Sequence, residues 1–403
     1  MATDLSTIVG ALKNVYDDYV EKHQNLKHRA IDEIGKSLAQ YSPGGAGYFG
    51  AINDYGNESV GAINETEAFR TIDNENYAQW KVVPKVLVAP IEFSGIVAAS
   101  ADSSEESFVN VVVDALDMAK ERLLKDENRQ FFGLGTGALC SPAANVASNL
   151  TSFTVDSAQY IRRNMVLDAY NGATETVASI RVSKVDKVNN IVYFATSLGA
   201  ALITTDVFVK ENIRVSAASD GKEMMGLRGI VDDSTDLTTF QNIDALANLS
   251  WRGRVISASS ANLTSDLLQR LLDDVMVLGD EDPDTLIMHP KQRRKYLDIV
   301  VPEKRYMDQK LDAGFSKLSF NGKELWLDID CQDNVVYAIT KKYIRKFELQ
   351  AMGMGKHEGS DSFLRRADKD VFQAYWRHYC NFGTAKRTAH GKITTLAKPT
   401  GVS

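Results

Sequence analysis

Cysteine is scarce in this chain. The three that occur, Cys140, Cys331 and Cys380, are odd in number and far apart, which argues against a disulfide framework and for free, buried thiols in a reducing compartment. No CxxC occurs, and none of the six histidines (His23, His28, His289, His357, His378, His390) sits in a His-Glu-x-x-His pattern. No metal site is therefore expected from spacing. Basic charge is also in short supply: 46 Lys and Arg against 53 Asp and Glu leave a net charge of −7. A general nucleic-acid coat would need a cationic surplus on its contacting face. No apolar run approaches the ~20 residues that cross a bilayer, and no basic stretch followed by an apolar one opens the chain. A membrane partner is not expected, and synthesis and assembly in a cytoplasm are.

Catalytic signatures are missing as well. There is no Gly-x-Ser-x-Gly elbow and no cysteine in a nucleophile context. Paired carboxylates such as Asp232-Asp233, Asp273-Asp274 and Glu281-Asp282 read as solvated turns and caps. The run Gly133-Leu134-Gly135-Thr136-Gly137 follows a predicted helix instead of a strand and lacks Gly-Lys-Ser/Thr. It reads as a helix-ending turn, not as a phosphate cradle. The expectation is no catalytic residue, no cofactor and no enzyme.

What is present is an α+β pattern over 403 residues, 44% of them hydrophobic, enough for a buried core. Residues 4–40 carry apolar side chains at helical spacing, up to the breaker Ser42-Pro43-Gly44-Gly45. Residues 46–79 are poor in large aliphatics and build no core of their own. The β-branched stretch from Trp80 to Gly95 reads as strand. Pro84 and Pro90 cannot donate to a ladder, so it is an edge or part of a two-stranded ribbon. Residues 104–129 form the strongest helix, with Glu105 and Glu106 at its positive end.

Further on, a short helical stretch is expected at 156–164, and a hairpin at 177–196 turning around Lys187 to Asn190. An amphipathic helix runs from Ser265 to Leu278. Strands are expected at 284–288, 320–329, 335–339, 372–382 and 389–396, with Asn321-Gly322 as a turn.

Charge is divided along the chain. Residues 1–200 hold 17 basic and 25 acidic side chains, and residues 286–403 hold 22 and 13. Such halves attract each other between copies or within one molecule. The basic stretches 291–295, 341–346 and 365–366 suit ion pairs with the acidic half of a neighbouring copy, or less well a nucleic-acid groove.

In order and spacing these elements resemble the major capsid proteins of tailed double-stranded DNA bacteriophages, the Hong Kong 97-like fold. Residues 1–45 resemble its N-terminal arm, 46–95 its extended β-loop, and 104–129 its long spine helix within a peripheral domain, 96–215. Residues 216–330 resemble its axial domain, and 331–403 a return to the peripheral domain with the C-terminal strands. The segment Gly226-Leu227-Arg228-Gly229-Ile230-Val231-Asp232 and the Asn321-Gly322 hairpin carry part of the likeness.

The resemblance implies self-assembly into pentamers and hexamers of an icosahedral shell around double-stranded DNA, bound without sequence specificity. It implies a portal protein, a separate scaffolding protein and a decoration or cement protein as partners, with the virion as final location. Expected subunit contacts are Phe69 and Trp80 as loop anchors, Asp73 and Glu75 as loop acids, and Lys81, Arg293, Arg294, Lys341, Lys342, Arg365 and Arg366 as cations. Gly95, Gly133, Gly135 and Gly137 are expected hinges. Lys81 and Lys85 lie on the element that some members cross-link, but no partner asparagine matches. An encapsulin-type compartment, which shares the fold, and a metabolic α/β enzyme are the alternatives.

Overall fold

The computed structural model describes residues 29–37, 41–42, 47–56, 59–71, 74–96, 105–214, 221–304, 319–355, 364–366 and 368–399. They fall into two compact units. One holds the described residues of Lys85–Asn128 and Glu348–Cys380, the other those of Arg29–Pro84, Arg129–Phe347 and Asn381–Ser403. Helix Glu105–Phe131 and strands Ile344–Met354 and Val371–Thr384 contribute residues to both.

In the first unit the long helix is matched by an antiparallel ladder. Strand Lys85–Ser94 pairs with Val371–Cys380 in unbroken register, from Ser94 opposite Val371 to Lys85 opposite Cys380. Pro84 splits the predicted 80–95 stretch in two, because it has no N–H for either ladder. Trp376 fixes the long strand to the helix: its Nε1 donates to the Leu116 carbonyl at 3.0 Å, and Lys120 Nζ lies 5.5 Å from its ring. Phe93 and Phe372 stack across the ladder at 5.9 Å.

The second unit has a six-stranded mixed sheet, in the order Arg254–Ser257, Gly391–Thr394, Val336–Ile339, Thr285–Met288, Lys323–Leu327, Ser319–Phe320. The central strands Thr285–Met288 and Val336–Ile339 are buried throughout, which is why they read as continuous apolar runs. Helix Ser265–Gly279 packs on this sheet through Leu268, Leu271, Leu272 and Val275. Thr264 caps it by accepting from Leu267 N, and Asp280 ends it in the left-handed conformation. A Cβ on Gly391 would come within 2.7 Å of Leu271 and Val275, so glycine is what lets helix and strand approach.

A five-stranded antiparallel sheet, Ser152–Thr154, Ile191–Phe194, Thr174–Asp186, Val166–Asn171 and Val207–Lys210, encloses a separate core. Phe153, Phe194 and Phe208 stack mutually within it at 5.4–6.0 Å.

Several expectations are corrected. Of the predicted 4–40 helix, residues 29–37 are described, with a helix at Arg29–Asp32 and Lys36 bridging to Lys346; the rest lies outside the described residues. Residues 156–164 form turns, not a helix. Val336–Ile339 and Gly391–Thr394 lie in the same sheet as Arg254–Ser257 and Thr285–Met288. Residues 129–214 group with the second unit and not with the helix before them. Partners that pair across long sequence separation leave no boundary signal in composition.

Candidate functional site

The loop is a ribbon with a locked base and a bare tip. Tyr48–Tyr55 pairs antiparallel with Asn76–Val82, from Tyr48 opposite Val82 to Tyr55 opposite Asn76, with a bulge between Asn53 and Tyr55. Tyr48, Trp80 and Val82 are buried at the base. The Phe347 ring lies 5.2 Å from Tyr48 and 5.6 Å from Trp80. A Cβ on Gly50, opposite Trp80, would run into the indole, so the sequence keeps a glycine there. Two further bonds hold the base: Lys81 N donates to Gln241 O at 2.9 Å, and Asn381 Nδ2 to Val83 O at 2.7 Å.

Every residue from Val60 to Thr71 is exposed, Val60 at 85% and Phe69 at 90%. The Glu67 carboxylate accepts from Asn64 N at 3.1 Å within this tip.

The predicted contact residues separate. Phe69 stands in solvent. Glu75 is exposed and accepts from the Tyr77 hydroxyl, and its carboxylate holds that phenol above its usual range. Asp73 lies outside the described residues. Trp80 is packed inside its own chain, because the ribbon base needs it to cover Phe347. Lys81 Nζ lies 5.7 Å from the Phe49 ring.

Most of the expected cations meet acids of their own unit. Lys341 lies 3.7 Å from Glu324 and 4.9 Å from the Trp326 ring. Lys342 is 3.8 Å from Glu281, and Arg365 is 2.9 Å from Asp370. Arg366 reaches Asp368 at 2.9 Å and Glu92 at 3.4 Å. Arg293 is half-buried and Arg294 exposed on helix Pro290–Lys304. Exposed pairs of this kind contribute about 0–1 kcal/mol each, so a competing partner displaces them at small cost.

At the expected hinges, Gly95 N donates to Asp370 O at 2.8 Å and Gly133 N to Gln130 O at 2.9 Å. Gly135 and Gly137 have φ of +79° and +78°. The glycine run therefore ends the long helix in left-handed backbone, as a turn of this composition should.

Two polar clusters have no counterpart in the sequence reading. Arg387, fully buried, donates Nε to Ile230 O, Nη1 to Trp251 O and Nη2 to Gly229 O, at 3.0, 3.3 and 2.9 Å. Its partner charge Asp232 is 3.7 Å away and also receives Lys392 at 3.3 Å. Burial holds the Arg387 guanidinium at about 10 and lowers Lys392. This cluster clamps the 226–232 segment, which the sequence singles out only by its glycines.

In the first unit, His378 Nδ1 lies 3.1 Å from Glu127 and 3.5 Å from Cys380 Sγ, while its Nε2 lies 2.8 Å from Glu348. Glu127, His378 and Cys380 are all buried. The available signal was the His378–Cys380 spacing, which puts both on one face of a strand; Glu127 is 251 residues from His378. Cys140, Cys331 and Cys380 form no disulfide and are buried, and burial pushes the Cys140 and Cys331 thiols up. Among the described residues no helix is long and apolar enough to cross a membrane.

No family model and no curated protein matches the sequence. Solved structures do match. The capsid asymmetric unit of cyanophage A-1(L) aligns at a TM-score of 0.57 and 11% identity, covering 98% of this chain and 99% of that one. The capsid of Myoviridae phage XM1 aligns at 0.51 and 9%, covering 96% and 98%. An encapsulin from Synechococcus elongatus aligns at 0.44 and 8%, covering 98% and 95%, a score too low to decide anything. At these identities the likeness is one of fold, and it extends over nearly the whole chain.

Proposed function

Starting from a chain with the Hong Kong 97-like capsid fold, we propose that it is the major capsid protein of a tailed double-stranded DNA bacteriophage, a structural subunit and not an enzyme. The observation that supports this most is the contrast along the loop. Its base is anchored by Trp80, Tyr48 and Phe347, while its tip is solvent-exposed and carries Phe69 at 90% exposure. An exposed aromatic on a long ribbon is uninformative in a monomer. On a subunit that closes into a shell it supplies a hydrophobic anchor for an identical neighbour.

In this reading Phe69 docks on the next subunit, and Asp73 and Glu75 exchange with that subunit's Arg293, Arg294, Lys341, Lys342, Arg365 or Arg366. Lys81 borders the contact. Gly95 and the Gly133, Gly135 and Gly137 turn act as pivots during maturation. Pentamers and hexamers form in the host cytoplasm with a separate scaffolding protein and a portal, package DNA without reading its sequence, and accept a decoration protein. Obligate interfaces of this kind bury ~2,000 Å² or more.

Electron microscopy of the purified protein, with and without a co-expressed scaffold, is the test. Closed icosahedral particles support the reading, and particles holding an enzyme cargo in place of DNA would point to an encapsulin. A protein that stays monomeric under all assembly conditions would overturn it.

A further inference from the structure

We propose that Glu127, His378 and Cys380 form a binding site for one zinc ion inside the first unit. Three chemically different donor atoms converge there. The Glu127 carboxylate, His378 Nδ1 and Cys380 Sγ all lie within 4.8 Å of one another. The residues are 1%, 2% and 0% exposed, so this is not a chance gathering of surface acids. Carboxylate, imidazole and thiolate together are a ligand set that zinc accepts.

The separations fit the metal. With usual zinc bond lengths and tetrahedral angles, sulfur and imidazole nitrogen should stand about 3.6 Å apart, and nitrogen and carboxylate oxygen about 3.4 Å. The observed distances are 3.5 Å for Cys380 Sγ to His378 Nδ1 and 3.1 Å for Nδ1 to Glu127 Oε2. For these two pairs a cation entering the group needs shifts of a few tenths of an ångström, and the third pair, sulfur and carboxylate, lies within 4.8 Å.

The supporting shell is also in place. Glu348 sits 2.8 Å from His378 Nε2. A carboxylate on the far nitrogen keeps that nitrogen protonated and turns the Nδ1 lone pair toward the metal, an arrangement common behind zinc-bound histidines. His378 and Cys380 are two apart on strand Val371–Thr384 and share a face, while Glu127 comes from helix Glu105–Phe131. Zinc would thus brace the helix against the strand.

The competing account is a metal-free hydrogen-bonded cluster in which His378 meets Glu127, Glu348 and Cys380 directly. Zinc binding uses all three groups and displaces the thiol proton, together with the Nδ1 proton where the ring carries one, to solvent. This inference does not depend on the shell reading.

The test uses the full chain purified without chelator and equilibrated with zinc. Mass spectrometric metal analysis should find one zinc per chain. Cobalt(II) in its place should give the charge-transfer absorption of a cobalt–thiolate bond, absent in Cys380→Ser. Glu348→Gln should weaken zinc binding about 10–100-fold while leaving one site. Substoichiometric zinc with no charge-transfer band on adding cobalt would overturn the proposal, as would undiminished zinc and band in Cys380→Ser. If the variants do not fold, X-ray absorption at the zinc edge of the unaltered protein decides. One sulfur with nitrogen and oxygen neighbours supports the site, and an all-oxygen shell refutes it.

Discussion

The Trp80 indole meets the Phe347 ring edge-on at 5.6 Å, joining the second strand of the loop ribbon to strand Ile344–Met354. The contact lies within one unit, so Trp80 supports folding before any assembly. Trp80→Ala should cost about 3–5 kcal/mol of stability, read as a lowered urea midpoint with an unchanged slope. An unaltered midpoint would mean that the indole is not part of the core.

Phe69 should behave in the opposite way. Its ring touches solvent, so Phe69→Ala should leave the thermal midpoint within about 1 °C, since surface changes stay within about 0.5 kcal/mol. Shell formation should weaken strongly, with anchors of this type contributing about 2 kcal/mol or more per contact. Replacing residues 60–71 with a glycine-serine linker should give folded subunits and no particles. Light scattering and electron microscopy check both, and normal particles from the linker variant would remove the loop from the mechanism.

Arg387 satisfies three carbonyls of segments 226–232 and 249–251. Arg387→Met leaves those oxygens without their donor and deprives Asp232 of one of its cations, at a cost of about 3–5 kcal/mol. The pair Arg387→Met with Asp232→Asn should cost less than the sum of the two single changes, because the buried charge no longer needs an answer. Denaturant titration of the four proteins measures the difference.

Acid should destabilise the fold through two histidines. Burial lowers His289 from 6.5 to about 4, with Asp333 opposing the shift and Lys291 and Arg294 adding to it. Burial alone lowers His390 to about 3, between Thr340 N and the Thr384 hydroxyl. Both folded values lie below the unfolded one, so between them the unfolded chain binds more protons and stability rises with pH. The contribution is complete above pH 6.5 and is lost as the pH falls from there through about 4 and 3. For His289 the loss is on the order of 3 kcal/mol. His390→Asn should flatten the lower part of the curve, as followed by denaturation at stepped pH.

Local pattern predicted local structure well. The apolar stripe after Thr264 marks the Ser265–Gly279 helix within a residue, and Asn321-Gly322, with φ of +48° and +77°, turns as its composition suggests. Residues 156–164 misled because Ala158 and Ile161 are buried at helical spacing. There the Asp156 carboxylate accepts from Ser141 N at 2.9 Å and Ser157 N at 2.7 Å, offering the backbone an alternative to helix. The polar run from Lys125 to Gln130 would be read as solvated, yet five of its six side chains are buried. Their partners include Glu223, Met224 and His378, too far along the chain to be seen from spacing. Trp80, expected from sequence at a subunit contact, packs here on Phe347 of its own chain, distant in sequence and invisible to local pattern.

Strand Lys85–Ser94 pairs, among the described residues, with Val371–Cys380 alone. Gly95 N donates to Asp370 O; counting back through the alternating ladder, Pro90 opposite Tyr375 falls at a position whose nitrogen faces outward. A proline there interrupts the row of donors that a stray strand would need. Copies of the chain at high concentration are thereby hindered from zipping edge to edge into fibres.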